Sequence, residues 1–124
     1  MTRGKKPGAA IREAKGFAER MGYRWQENPD PDLPYDLLIF KPASARIVKL
    51  RLTRYRIDPD AMYEDLFPEE IDGLHDLPFP PFILRELWLR TRNERVWRRL
   101  VIHDAVVSEI GWWGPDDYTN PHMR

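Results

Sequence analysis

The stretch YDLLIFKPASARIVKLRLTRYR, residues 35–56, decides the fold. Residues 36–41 are a short apolar run that begins with Asp36 and predicts a strand. The sequence KPAS then turns the chain, and residues 45–57 alternate with a period of two, which predicts a second strand. The residues of this strand divide between an apolar face with Val48, Leu50 and Leu52 and a polar face with Lys49, Arg51 and Thr53. The stretch therefore predicts a hairpin whose second strand turns cations toward one side.

The flanking residues extend this hairpin into an α/β or α+β domain. Residues 9–21 carry apolar side chains at steps of three and four, which predicts a helix that ends at Gly22. Residues 23–27 alternate aromatic and polar side chains and predict a short strand. Residues 58–81 predict a helical insert of one or two short pieces, with Pro68 near a helix start.

The last third of the chain predicts a second hairpin. Residues 83–91 and 94–103 read as its strands, and the chain turns between them at Arg92 and Asn93. Residues 105–110 predict a last short helix. The expected architecture is a small mixed sheet of about five strands with an N-terminal helix and a helical insert.

Length and composition bound the domain and its setting. A chain of 124 residues without cysteine is one domain by size and has neither disulfides nor thiolate zinc sites. We expect a flexible basic arm over residues 1–8, one domain over residues 9–111 and a C-terminal tail over residues 112–124, with Trp112 and Trp113 as anchors. Since no apolar run approaches the ~18 residues that cross a bilayer, we expect a soluble, cytoplasmic protein.

The charges of the chain are balanced overall but segregated along it, since 20 Lys and Arg residues match 20 Asp and Glu residues. Residues 41–56 contain six cations and no acid: Lys41, Arg46, Lys49, Arg51, Arg54 and Arg56. Residues 58–76 contain eight acids and neither lysine nor arginine. The first block favours a surface that attracts phosphates. In the alternative interpretation, the acidic block neutralises the basic strand inside the folded domain.

The order and spacing of these features resemble the PD-(D/E)XK, or restriction-endonuclease-like, superfamily of nucleases. A helix precedes a strand that begins with aspartate, and two polar residues one apart follow on the next strand. The resemblance implies that Asp36 stands at the aspartate position, with Lys49 and Arg51 at the acid-x-lysine positions. It also implies that Glu13 or Glu19 assists from the first helix.

This chain departs from the family's pattern at the metal site. The family's aspartate and its following acid bind one or two Mg²⁺ ions, and Mg²⁺ prefers carboxylate oxygens. Here Lys49 replaces that acid and Arg51 replaces the lysine, so both would repel a divalent cation and pair with Asp36. We therefore expect a degenerate site without metal or cofactor. The alternative is an active Mg²⁺-dependent endonuclease with a relocated acid, for which the candidates are Glu13, Glu19 and Glu27.

A second candidate surface lies on one face of the second hairpin. It combines aromatic and guanidinium groups, namely Trp88, Arg90, Arg95, Trp97 and Arg99. Three interpretations stay open: a cross-strand pair covered by arginine stems, a dimer interface, and a stacking surface for bases. On the opposite, apolar face Arg98 needs a partner, for which Asp36 or an acid of residues 58–76 is a candidate.

Together these patterns predict a degenerate nuclease-like domain that binds nucleic acid, or a partner that handles it, without strong metal-dependent cleavage. The predicted phosphate-binding set is Lys41, Arg46, Lys49, Arg51, Arg54 and Arg56. A non-catalytic module that forms a homodimer is the remaining alternative. The three histidines have no metal-ligand spacing.

Overall fold

The computed structural model describes residues 8–91, 94–104 and 106–114, and within them three helices accompany a six-stranded sheet. The elements in chain order are α1 Gly8–Arg20, β1 Arg24–Glu27, β2 Leu37–Lys41, β3 Ser44–Thr53, α2 Tyr63–Leu66, α3 Pro68–His75, β4 Leu84–Thr91, β5 Trp97–Ile102 and β6 Val107–Trp113. This order confirms the predicted mixed sheet with an N-terminal helix and a helical insert, and it adds a sixth strand.

Strands that are neighbours in the sheet are also neighbours in the chain. Their spatial order is β1-β2-β3-β4-β5-β6, and every adjacent pair is antiparallel except β3 and β4, which are parallel. A parallel pair needs a crossover connection, which α2 and α3 supply. As a result, β3 and β4 have their carboxyl ends on the same side of the sheet, where Thr53 lies opposite Thr91.

The first face of the sheet is covered by α1. Phe17 of this helix packs among three fully buried tryptophans, Trp88, Trp97 and Trp113. Its ring stacks on that of Trp113 with centroids 4.6 Å apart and meets that of Trp88 edge-on at 5.5 Å. Such ring contacts add to the free energy gained by burying the rings. The apolar stripe predicted over residues 9–21 is therefore the side of α1 that packs against this face of the sheet.

The second face of the sheet is covered by α3 and the chain that follows it. Leu74 of α3 is buried with Ile47 of β3, Leu87 of β4 and Leu100 of β5. Because Ile47 shares this face with the cations of β3, the cationic face predicted from the sequence is partly interior. On this face Lys49 is partly exposed and Arg51 is exposed, whereas Ile47 and Thr53 are buried.

The strand β3 ends earlier than the sequence predicted, at Thr53 instead of residue 57. The hydroxyl of Thr53 donates to the carbonyl of Tyr55 over 2.9 Å, which bends the chain away from the sheet. The alternation continues through this bend and therefore predicted a longer strand. The predicted turn at Arg92 and Asn93 lies outside the described residues.

The helix predicted over residues 105–110 is wrong, because Val107–Trp113 forms β6 and pairs with β5. The pairing of β5 with β6 shifts register between Arg99 and Leu100. These two residues lie opposite Gly111 and Glu109, so one residue of β6 between them has no partner in the register. An irregular strand of this kind shows no clear period of two, which concealed it in the sequence.

Two described element boundaries differ from those used to divide the chain in the sequence analysis. Helix α1 begins at Gly8, and β6 extends through Trp113, past the domain boundary predicted at residue 111. Trp113 is buried, as expected of an anchor, whereas Trp112 is 47% exposed. Every helix in the part of the chain that the structure describes is too short or too polar to cross a membrane.

Candidate nucleic-acid interface

Asp36 lies immediately before β2, beside the middle of β3. Its backbone N–H donates to the carbonyl of Val48 over 2.8 Å, and its Oδ2 accepts the backbone N–H of Leu50 over 2.7 Å. Because Leu37 lies opposite Val48, one further step along the ladder places Asp36 beside Lys49. The spacing in the sequence therefore brings the aspartate, just before β2, next to the polar positions of β3.

The Asp36 carboxylate is buried and continues the hydrogen bonding of the sheet, with only 5% of the residue exposed. Since β2 begins one residue later, the carboxylate serves as the acceptor that a backbone carbonyl would otherwise provide. The connector before it is fixed by Asn28, whose side-chain amide donates to the carbonyls of Leu33 and Tyr35 over 2.8 and 2.9 Å. Asp36 thus has a structural role whatever its chemistry.

The two cations that were expected to pair with Asp36 have other surroundings. Among the residues that the structure describes, no ion pair or hydrogen bond joins Asp36 to Lys49 or Arg51. Arg51 instead pairs with Glu70 of α3, with 2.9 Å between Nε and Oε2. Lys49 is partly exposed on the same face of β3. One member of the acidic insert therefore neutralises one cation of the strand, as the alternative interpretation of the charge segregation implied.

Glu13, a candidate for the assisting acid on the first helix, faces β4 and β5. Its Oε1 accepts hydrogen bonds from Arg90 Nη1 over 3.0 Å and from Trp97 Nε1 over 3.3 Å. It therefore binds a guanidinium on the first face of the sheet, whereas Lys49 and Arg51 lie on the second face.

The remaining acids do not complete a metal site around Asp36. Glu19 accepts the indole N–H of Trp25 over 2.8 Å, and Glu27 pairs with Lys15 at 2.6 Å. Within the described residues, no group of three or more histidine and carboxylate side chains is placed to hold a metal ion. A single carboxylate that already accepts a backbone N–H does not fit the oxygen-rich coordination of Mg²⁺.

The tryptophan–arginine face of the second hairpin is interior, so its interpretation as a stacking surface or a dimer interface is wrong. Trp88 and Trp97 are both fully buried because α1 lies over them. Arg90 is held by Glu13, and Arg99 is 7% exposed. Only Arg95 of this set is exposed. The strand parity was predicted correctly, but the helix that covers the face is distant in the chain.

A buried carboxylate, Glu86, organises the arginines on this face. Arg99 makes a bidentate pair with it over 3.0 Å at each oxygen, Trp88 Nε1 donates over 2.7 Å, and Arg46 Nη1 donates to Oε2. Burial alone would raise the pKa of Glu86, but the charge of Arg99 and these hydrogen bonds outweigh it and lower that pKa below its ordinary range. The network therefore holds Glu86 as a carboxylate.

Arg98 lies on the apolar face, as strand parity predicted, and has a different partner from those proposed. Its Nη2 donates to Glu94 over 2.8 Å and its Nη1 to the Tyr63 hydroxyl over 3.2 Å. Burial opposes this charge, yet the hydrogen bonds from Arg98 to Glu94 and Tyr63 raise the pKa of Arg98 overall. Neither Asp36 nor an acid of residues 58–76 is needed.

The carboxyl end of β3 and the segment that follows it form a basic surface, residues 51–57, that we call the basic edge; it lies next to the carboxyl end of β4. A depression of about 410 Å³ is lined by this segment together with Leu66 and Phe67. Two adjoining depressions, of about 350 and 400 Å³, share residues with it and are also lined by Arg90 and Arg98. Crevices at the carboxyl ends of parallel strands are frequent ligand sites.

The cations predicted to bind phosphate are not equally available. Arg46 is partly buried by its pairing with Glu86, and the Lys41 ammonium lies 4.5 Å from the centre of the Tyr23 ring. Arg54 and Arg56 of the basic edge are exposed, and no acid within the described parts of the chain pairs with either. These two arginines are therefore exposed members of the set for which the described residues supply no acid partner.

Sequence reasoning missed the aromatic member of this surface, Tyr55, which is 77% exposed. The predicted strand over residues 45–57 gave Tyr55 the parity of Lys49 and Arg51, and the early end of β3 releases it from the sheet. Its position between Arg54 and Arg56 was the signal in the sequence that could have drawn attention to it.

Comparisons with known proteins find a similar fold but no match at the level of sequence. No family model matches the chain, and no curated protein matches it. Among solved structures, the fold is similar to that of Hjc, a Holliday junction resolvase from the archaeal hyperthermophile Archaeoglobus fulgidus, with a TM-score of 0.52 and 10% sequence identity. The match covers 80% of this chain and 85% of that chain. This likeness confirms the α+β, restriction-endonuclease-like fold that the sequence resemblance implied.

Proposed function

We propose that this domain binds the phosphate backbone of nucleic acid through the basic edge. The observation that carries the proposal is the exposure of Arg54 and Arg56, without an acid partner among the described residues, beside depressions at the shared end of β3 and β4. Arginine binds phosphate oxygens through two parallel hydrogen bonds. Lys49 extends this surface along β3 toward Asp36.

DNA is the first ligand to test, because the solved structure with a similar fold is of a Holliday junction resolvase. A balanced net charge does not suit a protein that coats nucleic acid along its whole surface, whereas one cationic edge suits a local contact. We infer a limited number of phosphate contacts, which a salt series can count.

The binding test is fluorescence anisotropy of a labelled DNA duplex across a salt series. The logarithm of the affinity should fall linearly with the logarithm of the salt concentration, at roughly 0.9 per phosphate contact. Arg54→Ala and Arg56→Ala should each weaken binding and reduce that slope by about 1. Arg24→Ala is the matched control, since Arg24 is exposed on the edge strand β1, away from the basic edge.

An affinity that does not respond to salt, or equal losses in the Arg24 and Arg54 variants, would contradict this function. RNA of the same sequence in a parallel series separates the two classes of nucleic acid, since the proposal commits only to the phosphate backbone.

Strong metal-dependent cleavage is not part of the proposed function, because the donor set around Asp36 does not fit Mg²⁺. The test incubates plasmid DNA with Mg²⁺ or Mn²⁺ and compares the natural chain with Asp36→Asn. Asparagine keeps an oxygen that can accept the Leu50 N–H, so this variant removes the charge without removing the acceptor. Cleavage by the natural chain that Asp36→Asn abolishes would establish the nuclease alternative.

A further inference from the structure

Tyr55 is a large aromatic side chain that the fold leaves in solvent. It is 77% exposed, and among the described rings none stacks on it. The hydrogen bond from the Thr53 hydroxyl to its carbonyl fixes the backbone at this point, so the side chain is presented from a defined bend. Tyr55 makes little contribution to the core and is available for a ligand.

The surroundings of Tyr55 combine an apolar surface with cations. Tyr55 lines the depression of about 410 Å³ together with Leu52 and Leu66, which are 40% and 44% exposed. Arg54 and Arg56 flank it in the chain and line the same depression. This volume lies within the range of roughly 300–1,000 Å³ that holds small organic groups.

An exposed ring between arginines suits an unpaired base next to its phosphates. A base presents a flat π face to a tyrosine, whereas the bases of a duplex are stacked on each other and offer only their edges. Resting on the proposed function, we propose that Tyr55 stacks on a base and that the basic edge binds single-stranded or locally unpaired nucleic acid in preference to a continuous duplex. Arg54 and Arg56 then hold the phosphates on either side of the stacked base.

The test compares single-stranded and duplex DNA of about 16 nucleotides, a length that covers known single-strand sites. The natural chain should bind the single strand more tightly than the duplex. Tyr55→Leu, which removes the ring, should weaken single-strand binding roughly fivefold to a hundredfold and leave duplex binding within about twofold. Tyr55→Phe keeps the ring and should retain single-strand affinity.

A fluorescent base analogue distinguishes stacking from any other use of the side chain. 2-Aminopurine in the single strand should be quenched by the natural chain and by Tyr55→Phe but not by Tyr55→Leu. Phe82→Leu is the matched control. Phe82 is 76% exposed and precedes the amino end of β4, whereas the basic edge lies next to the carboxyl end of that strand. It should change neither affinity nor quenching, and thermal melting should show all three variants folded.

The outcomes separate this inference from the function on which it rests. Salt-dependent binding of duplex and single strand with equal affinity, unchanged in Tyr55→Leu, would overturn the stacking role and leave phosphate binding intact. Binding of neither form at low salt would overturn both. A loss in Tyr55→Leu that is equal for duplex and single strand would also overturn the preference for unpaired bases.

Discussion

At the scale of single residues, Glu86 is the most consequential ionisable group in the domain. It is fully buried, and it joins Arg99, Arg46 and Trp88 beneath α1. Because removing one partner of a buried pair leaves the other charge without compensation, Glu86→Gln should lower the free energy of unfolding by about 3–5 kcal/mol at neutral pH. Urea denaturation measures this loss.

The pH dependence of stability gives a second measure of the same residue. The pKa of Glu86 in the folded chain lies below its ordinary value of 4.5. The stabilisation is therefore complete above that ordinary value and is lost as the pH falls through the lowered pKa, because the unfolded chain takes up a proton first. Glu86→Gln should have a flatter stability curve in this window. A curve as steep as that of the natural chain would contradict the assignment.

The residues around Asp36 mark how far the sequence could be interpreted. Strand parity predicted correctly that Lys49 and Arg51 share a face, and the spacing placed Asp36 next to β3, immediately before the adjacent strand. The sequence pattern could not show that Glu70 pairs with Arg51, because α3 and β3 approach each other only after the chain has folded. Pairings of this kind depend on contacts between distant segments, which carry no local signal.

At the scale of elements, β6 is the strand whose anchor is most easily tested. Trp113 is fully buried and stacks on Phe17 and Trp97, whereas its neighbour Trp112 is 47% exposed. Trp113→Ala should therefore lower the free energy of unfolding by about 3–5 kcal/mol. Trp112→Ala is the matched control and should cost less than about 1 kcal/mol.

Far-ultraviolet circular dichroism during urea denaturation is the suitable probe, because tryptophan fluorescence changes with the substitution itself. Equal losses in the Trp112 and Trp113 variants would show that β6 does not hold its described register.

The elements differ in how well local patterns predict them. Helix α1 has a regular apolar stripe and a following Gly22 with φ of +86°, so both its extent and its end were predictable. The strand β6 has a register irregularity near Gly111, so its side chains do not alternate cleanly. Its identity as a strand depends on the free edge of β5, which belongs to the tertiary structure.

At the scale of the whole molecule, the acidic insert lies against the basic strand and screens part of it. Glu70 holds Arg51 at 2.9 Å, so the anion competes with phosphate for that cation. Glu70→Gln should release Arg51 and tighten DNA binding at low salt by roughly twofold to fivefold, in line with the free energy of a partly exposed pair.

Glu69→Gln is the matched control for this change, since Glu69 precedes Glu70 in the first turn of α3 and is exposed. Both variants alter the net charge equally, so only a local contact distinguishes them. An equal gain in the two variants would mean that the long-range field, and not the Arg51 pair, limits binding.

The single parallel pair in the sheet has a consequence for folding. Strands β1 to β3 and strands β4 to β6 are each joined to their neighbours by antiparallel pairing, and within the described sheet only the pairing of β3 with β4 joins the two sets of strands. Pairings between distant segments form more slowly than local ones, so we expect the pairing of β3 with β4 to form late in folding. The basic edge comes into existence with that step, because its depressions draw on the ends of both strands. A nucleic acid that binds the basic edge would therefore stabilise the pairing of β3 with β4, and its affinity would contribute to the free energy of unfolding of the whole domain.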